Sequence, residues 1–388
     1  MKQYFYKNFL RFFYIFTFLH LHIFTFAQDS SHLRISLLTC TPGEELYSTF
    51  GHSAFRVIDS SSVTDVVYNY GTFNFDDDGF YLKFVRGKLL YYVSTATIDE
   101  FKEEYQFYKR GITEQVLNLS PAEKIVIQQA LNNNLREENK YYQYDFFLDN
   151  CTTRLRDIIK KHSDIPIVFK PVMPPGTTFR QAIHQYLNKN NKGWSKLSID
   201  ILLGAPTDAV MTTEQMQFLP DNLMKSLDSN NINRSLVSQV SDILKVNNAN
   251  QEKKNSPSPF LIFTTLLVLI IALGFIQNNF VQNTLKSFYG LFFFLTGLLG
   301  CILILMWAAT DHAMCKNNFN LLWAWPTHIV AAFFINTKKN WIKKYCFFTI
   351  IGLSILMLAW FFLPQQMNNS LLPLILLQIY ISIKKITA

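Results

Sequence analysis

The sequence predicts an α+β domain with an antiparallel sheet and a helical annex, carried outside the cytoplasm and followed by an all-α transmembrane region. Three observations carry that prediction. Residues 1–27 run from Lys2, Lys7 and Arg11 through a long apolar stretch to Ala27, the order of a secretory signal peptide. Residues 34–95 hold four runs rich in β-branched and aromatic residues, separated by turn signals such as DDDG at 76–79, and helix starts follow them. From residue 260 onward the chain consists largely of long apolar runs.

The expected strands are RISLLTC (34–40), SAFRVID (53–59), VTDVVYNYGTF (63–73) and KLLYYVST (88–95). Thr97 with Glu100 reads as a capping box ahead of Phe101, Tyr105 and Tyr108 at helical spacing. Ser120, Pro121 and Glu123 fill the cap, first and third positions of a second helix, whose apolar face is expected to include Val126, Ile127 and Ala130. A third helix begins near Cys151. Asp149 or Asn150 can cap it, and Leu155, Ile158 and Ile159 recur on the side that carries the cysteine. Joints follow at PVMPPGTT (171–178) and NKNNKGW (188–194), and NNANQEKKNSPSP (247–259) reads as a tether into the membrane.

FLIFTTLLVLIIALGFIQ (260–277) and FYGLFFFLTGLLGCILILMWAA (288–309) are long enough to cross a hydrocarbon core as helices. Apolar runs near 319–335, 345–363 and 367–383 bring the candidate spans to five, the third interrupted by Pro326. The expected organisation is therefore a signal peptide at 1–27, a periplasmic domain at 28–255 and a membrane region at 260–383 with about five helices. Lys286, KKNWIKK (338–344), Lys384 and Lys385 then face the cytoplasm, as does the C-terminus, in keeping with the positive-inside bias. Asp311, His312 and Asn317 fall at the interface, and His328 is the polar exception inside a span.

That partition explains the charge. Residues 28–255 hold 25 Lys plus Arg against 27 Asp plus Glu, while the rest of the chain holds 11 basic residues and one acidic. The net charge of +8 is thus topological; the expected partner is the lipid bilayer, and no nucleic acid is implied. The sequence leaves the oligomeric state open.

Chemistry centres on Cys151. Free amides and the aligned dipole at a helix start favour a thiolate, and a neighbouring imidazole completes its activation. His52 is the best imidazole: it stands in STFGHSAFRV, after a turn at Gly51 and at the head of a strand. The bland alternative is a satisfied structural histidine. His162, at the end of the cysteine helix, His184, inside FRQAIHQYL, and His32 rank lower. Neither HExxH nor a Cys/His cluster of structural-metal spacing occurs between residues 28 and 255, so no metal or cofactor is expected. A competing reading joins Cys40 to Cys151, the only two cysteines of that region. Such a bridge closes 112 residues, stabilises by about 3–5 kcal/mol on the loop-entropy account, and leaves a non-enzymatic binding or assembly module.

EELYSTFGHSAFRV, VVYNYGTFNF, YYQYDFFLDNCTTRLRDII, SIDILLGAPTDA and MQFLPDNL together resemble a bacterial membrane-protein family with an Lnb-type N-terminal periplasmic domain, over most of residues 34–225. NNFNLLWAWPTHI (317–329) is similar to that family's C-terminal part. The order of His52 after Gly51 and Cys151 after Asn150 also resembles permuted papain-like proteins of the NlpC type. This second resemblance implies a permuted papain-like fold with Cys151 as nucleophile and His52 as general base; Asn69, on the neighbouring expected strand, is the candidate to orient the imidazole, with Tyr68 and Glu45 as alternatives. The expected activity is that of a periplasmic cysteine hydrolase or acyltransferase of the inner membrane. Its substrate is a peptidoglycan peptide, a lipid or an envelope protein, with peptide hydrolysis narrowly preferred. Amides near residues 151 and 152 are expected to hold the oxyanion.

Overall fold

The computed structural model describes residues 32–228, 235–246 and 256–387. The signal-peptide reading of 1–27 and most of the expected tether lie outside the described residues.

The four expected strands form as β1 (Leu33–Cys40), β2 (His52–Asp59), β3 (Thr64–Thr72) and β4 (Leu90–Thr97). Three further strands, β5 (Ile112–Leu117), β6 (Tyr141–Gln143) and β7 (Val237–Leu244), complete an open antiparallel sheet in the order β6-β4-β3-β2-β1-β5-β7. β5 breaks the usual apolar alternation because Glu114 and Gln115 are both buried in it. Glu114 accepts from Arg34 at 3.1 Å and Arg56 at 3.2 Å, and Gln115 donates to the Met224 carbonyl at 3.1 Å. Buried polar groups are tolerated in a strand when they are paired in this way.

The helices of this domain are α1 (Phe80–Val85), α2 (Ile98–Phe107), α3 (Pro121–Asn134), α4 (Glu137–Lys140), α5 (Cys151–His162), α6 (Phe179–Lys189), α7 (Gly193–Leu202) and α8 (Pro220–Asp228). Capping boxes start α2 at Thr97 and α3 at Ser120. The buried face of α3 carries Ile127 and Leu131; Val126 is exposed, a correction of one position in the expected helical phase. α3, α5 and α8 cover one side of the sheet, where Ile35, Leu37, Phe55 and Tyr70 meet Ile127, Leu155, Ile159 and Leu223. α2 covers the other side, where Leu38, Cys40, Ala54 and Val67 meet Phe101 and Tyr105. Helices thus bury both faces of the antiparallel sheet, giving an α+β domain.

The membrane region contains α9 (Pro259–Leu273), α10 (Asn279–Ala308), α11 (His328–Phe334), α12 (Asn340–Ala359) and α13 (Leu372–Thr387). Asn279–Ala308, Asn340–Ala359 and Asn369–Thr387 are long and apolar enough to cross a bilayer, and α9 is a shorter apolar helix. The approach to α11 is irregular. It packs against glycines of α10: a Cβ on Gly300 would lie 2.0 Å from the Ala324 carbonyl oxygen, and one on Gly297 would lie 2.4 Å from the Ile329 nitrogen. Small residues permit this backbone approach, and protein cover makes non-helical backbone tolerable beside lipid.

One end of the bundle docks on the annex formed by α6, α7 and the chain up to α8. Gly204 N–H donates to the Met314 carbonyl at 2.8 Å, and Asn368 donates to Asp200 at 2.8 Å. Arg180, fully buried, organises the junction. Its Nε reaches Asp208 at 3.0 Å, its Nη1 reaches Asp200 at 2.9 Å, and its Nη2 reaches Thr207 at 2.7 Å as well as the carbonyls of Leu203 and Gly204 at 3.1 Å. Burial opposes ionisation of Asp200, yet His184 and Arg180 outweigh it and hold the carboxyl below its ordinary value. His184 is thereby assigned a structural role, donating from Nε2 to Asp200 at 2.8 Å.

The opposite end of the bundle gathers lysines: Lys339 lies 4.5 Å from the Phe334 ring, Lys384 lies 5.7 Å from the Phe275 ring, and Lys385 donates to the Thr337 carbonyl. That polarity gives an expected result. Reporter fusions after residue 240 and after residue 341 should read periplasmic and cytoplasmic, respectively; the same reading from both would contradict it.

Candidate active site

Cys151 is the first residue of α5, and its backbone is fixed by Asn150. The Asn150 side chain accepts from the amides of Thr152 at 2.8 Å and Thr153 at 2.9 Å, while its Nδ2 donates to the Phe146 carbonyl at 2.7 Å and the Phe218 carbonyl at 2.9 Å. Thr153 Oγ1 accepts from the Asn150 N–H at 2.8 Å, closing the box. Asn150, rather than Asp149, is therefore the cap; Asp149 pairs with Arg154 at 2.7 Å. One expectation about the oxyanion changes with this finding. The Thr152 amide is committed to the cap, so the Cys151 amide is the donor left at that turn.

His52 opens β2 after Gly51, whose φ of +86° favours glycine; a Cβ there would stand 2.8 Å from the Cys40 carbonyl. The imidazole Nε2–H donates to Asn69 Oδ1 at 2.5 Å, which leaves Nδ1 for the side-chain hydrogen bond between His52 and Cys151. Gly71 lies where the helix start meets the sheet end. It has φ +90°, sits at the register shift between Tyr70 and Thr72, and its missing Cβ would lie 3.6 Å from the Cys151 Cβ. The structure thus brings Cys151, His52 and Asn69 together. Tyr68 instead donates to Asn132 at 2.8 Å, and the Glu45 carbonyl accepts from Thr49 at 2.9 Å.

Burial by itself pushes the Cys151 thiol up. The His52 charge and hydrogen bond, the Ser53 backbone N–H and the Thr152 hydroxyl outweigh it and bring the thiol down to about 7. Burial likewise disfavours charge on His52, but the Cys151 thiolate and the Asn69 hydrogen bond hold the imidazole above its ordinary value. The pair is electrostatically suited to a thiolate–imidazolium state.

Cys40 differs in its surroundings. It lies opposite His52 across the β1–β2 ladder, and burial pushes its thiol up to about 12. The disulfide alternative is not realised, since Cys40 and Cys151 are both free thiols. His162 closes α5, where burial and then Lys161 lower its basicity. It lines a cleft of about 780 Å³ that contains neither Cys151 nor His52. His32 lies 3.8 Å from Asp59. No group of three or more His, Cys, Asp or Glu suited to a metal occurs among the described residues.

The pair opens into a groove of about 590 Å³ with aromatic walls from Phe50, Phe73, Phe75, Tyr91, Tyr144 and Phe146. Adjoining it is an apolar pocket of about 310 Å³ that shares Leu46, Phe50, Phe84, Tyr91, Tyr144 and Phe146. Ile183, Ile199 and Leu203 of the annex side line this pocket, together with residues 312–315 from the loop that follows α10. Sequence reasoning missed these walls. The aromatic richness of 73–91 and 142–147 was visible, but its convergence on the loop after α10 depends on long-range packing.

A capped cysteine beside an imidazole, on an α+β domain docked to a helix bundle, defines a membrane-anchored periplasmic protein with a Cys–His site. Residues 22–185 match the Lnb N-terminal periplasmic domain and residues 251–387 match the Lnb transmembrane domain. The chain belongs to the Lnb-type family: a bacterial inner-membrane protein with its N-terminal domain in the periplasm and its C-terminus in the cytoplasm. No curated protein and no solved structure matches the chain.

Proposed function

We propose that this protein is a membrane-anchored cysteine enzyme that takes an acyl group from a lipid ester and passes it to water or another nucleophile. Residues 28–255 form its periplasmic catalytic unit, of permuted papain-like type, and residues 260–383 form its membrane region. The observation that carries the reading is the side-chain contact of His52, held by Asn69, with Cys151 at the start of α5, where the imidazole helps bring the thiol down to about 7.

In the first step the Cys151 thiolate attacks the ester carbonyl, forming a C–S bond and a tetrahedral oxyanion beside the Cys151 amide. Collapse breaks the C–O bond, and imidazolium His52 gives its proton to the departing alkoxide. Neutral His52 then removes a proton from the acceptor as it attacks the thioester, and the thiolate leaves. Asn69 holds the ring by accepting from Nε2–H, so that Nδ1 faces the sulfur throughout.

The apolar pocket favours an acyl substrate over the peptide bond preferred from sequence. An extended peptide needs backbone partners along its path, whereas this pocket offers aromatic and aliphatic walls continuous with a membrane-side loop. Incubating the full chain in detergent with a glycerophospholipid should leave a hydroxylamine-sensitive acyl adduct on Cys151, seen by intact mass. Ala313→Phe, which adds bulk to the pocket wall, should shift the adduct toward shorter chains. A stable preference for peptide amides, with no acyl adduct, would overturn the lipid reading.

A further inference from the structure

Among the described residues, Arg110 is the only Lys or Arg lining the groove beside Cys151. It is 7% exposed, so its charge is held in a mostly desolvated setting. Nε donates to the Thr41 carbonyl at 2.7 Å, and the guanidinium lies 4.6 Å from the centre of the Tyr105 ring. Nη2 has no hydrogen-bond partner among the described residues. Glu104, the one carboxylate of the groove lining, is exposed and forms no ion pair with Arg110 among the described residues. A guanidinium does not discharge by losing a proton. A buried one with an unmet donor is therefore a ready receptor for an oxyanion, and its planar fork matches phosphate.

We propose that Arg110 anchors the phosphate diester of a glycerophospholipid acyl donor; this rests on the lipid-ester reading of Cys151. The arrangement of the groove fits such a molecule. Arg110 and Tyr105 line the groove but not the adjoining apolar pocket, and Cys151 and His52 also belong to the groove alone. A glycerophospholipid presents the same three features in one molecule: an acyl chain, an ester carbonyl, and a phosphate a few bonds away across the glycerol. With the chain in the apolar pocket and the carbonyl at Cys151, the phosphate is left in the groove that Arg110 lines.

The test compares two acyl donors of equal chain length on the full chain in detergent: phosphatidylglycerol and a neutral p-nitrophenyl ester. In Arg110→Gln the ratio of kcat/KM for the phospholipid to that for the neutral ester should fall about 10- to 100-fold, the range for losing a hydrogen bond to a charged group. Arg110→Lys, which keeps the charge without the fork, should recover part of the ratio. A purely structural Arg110 lowers both rates together and leaves the ratio unchanged, which would overturn the proposal. In the wild type, sn-glycerol 3-phosphate should slow alkylation of Cys151 by iodoacetamide more than acetate does. Equal protection would point to a carboxylate as readily as a phosphate and remove the phosphate assignment. Failure of the lipid-ester reading has a separate signature: neither donor acylates Cys151 in the wild type.

Discussion

Cys151→Ala is expected to abolish labelling by a mild electrophile at pH 7 and to lower acyl-transfer turnover by about 10⁴- to 10⁶-fold, the scale seen when a catalytic nucleophile is removed. Cys40→Ala should leave the labelling stoichiometry of the periplasmic domain unchanged. The distinction is electrostatic. Both thiols are buried, but at Cys151 an imidazole, a backbone N–H and a hydroxyl outweigh burial, whereas at Cys40 burial outweighs the Arg110 charge and the Tyr105 hydroxyl. Cys40, at about 12, remains protonated at neutral pH and makes a poor nucleophile. Intact-mass analysis with peptide mapping after iodoacetamide treatment reads the result directly. Label on Cys40, or label that survives Cys151→Ala within residues 28–255, would remove the assigned nucleophile.

The second large effect is expected at His52. In the wild type, the rate of Cys151 alkylation should rise with pH through an inflection near 7. His52→Ala removes the main influence that lowers the thiol and leaves burial, which raises it. The inflection should move upward, toward the ordinary thiol value of 9.0, and the thiolate fraction at pH 7 should fall well below the half present in the wild type. Turnover loses proton transfer as well, giving an expected fall of about 10²- to 10⁴-fold. An alkylation profile measured across pH 5–10 on both proteins separates the two contributions. An unchanged inflection in His52→Ala would mean that the helix start alone sets the thiol.

Much of this arrangement was legible because its signals are local. The Asn150 cap, the turn at Gly51 and the alternation in SAFRVID each act within a few residues, and they place Cys151 and His52 on rigid elements. Asn69 could be selected because a residue on an adjacent strand is within reach of the imidazole. The missing strands were obscured by composition. β5 buries Glu114, which no alternation rule expects without knowledge of Arg34 and Arg56; β6 is only three residues long; and β7 is a polar edge strand. Arg110 illustrates a deeper limit, since its significance comes from an unmet donor in a groove assembled from distant segments.

The docking of the loop after α10 onto the annex ties the domain that carries Cys151 to the helix bundle by direct contacts as well as by the chain. Gly204 allows that fit: a Cβ there would stand 1.8 Å from the Lys316 carbonyl oxygen. A head on a slack leash would sample groups at many heights; under the proposed function, a docked one would address a narrower stratum. Selectivity can therefore arise from vertical position alone, with a chemically competent carbonyl ignored when it lies too deep in the leaflet or too far into the periplasm.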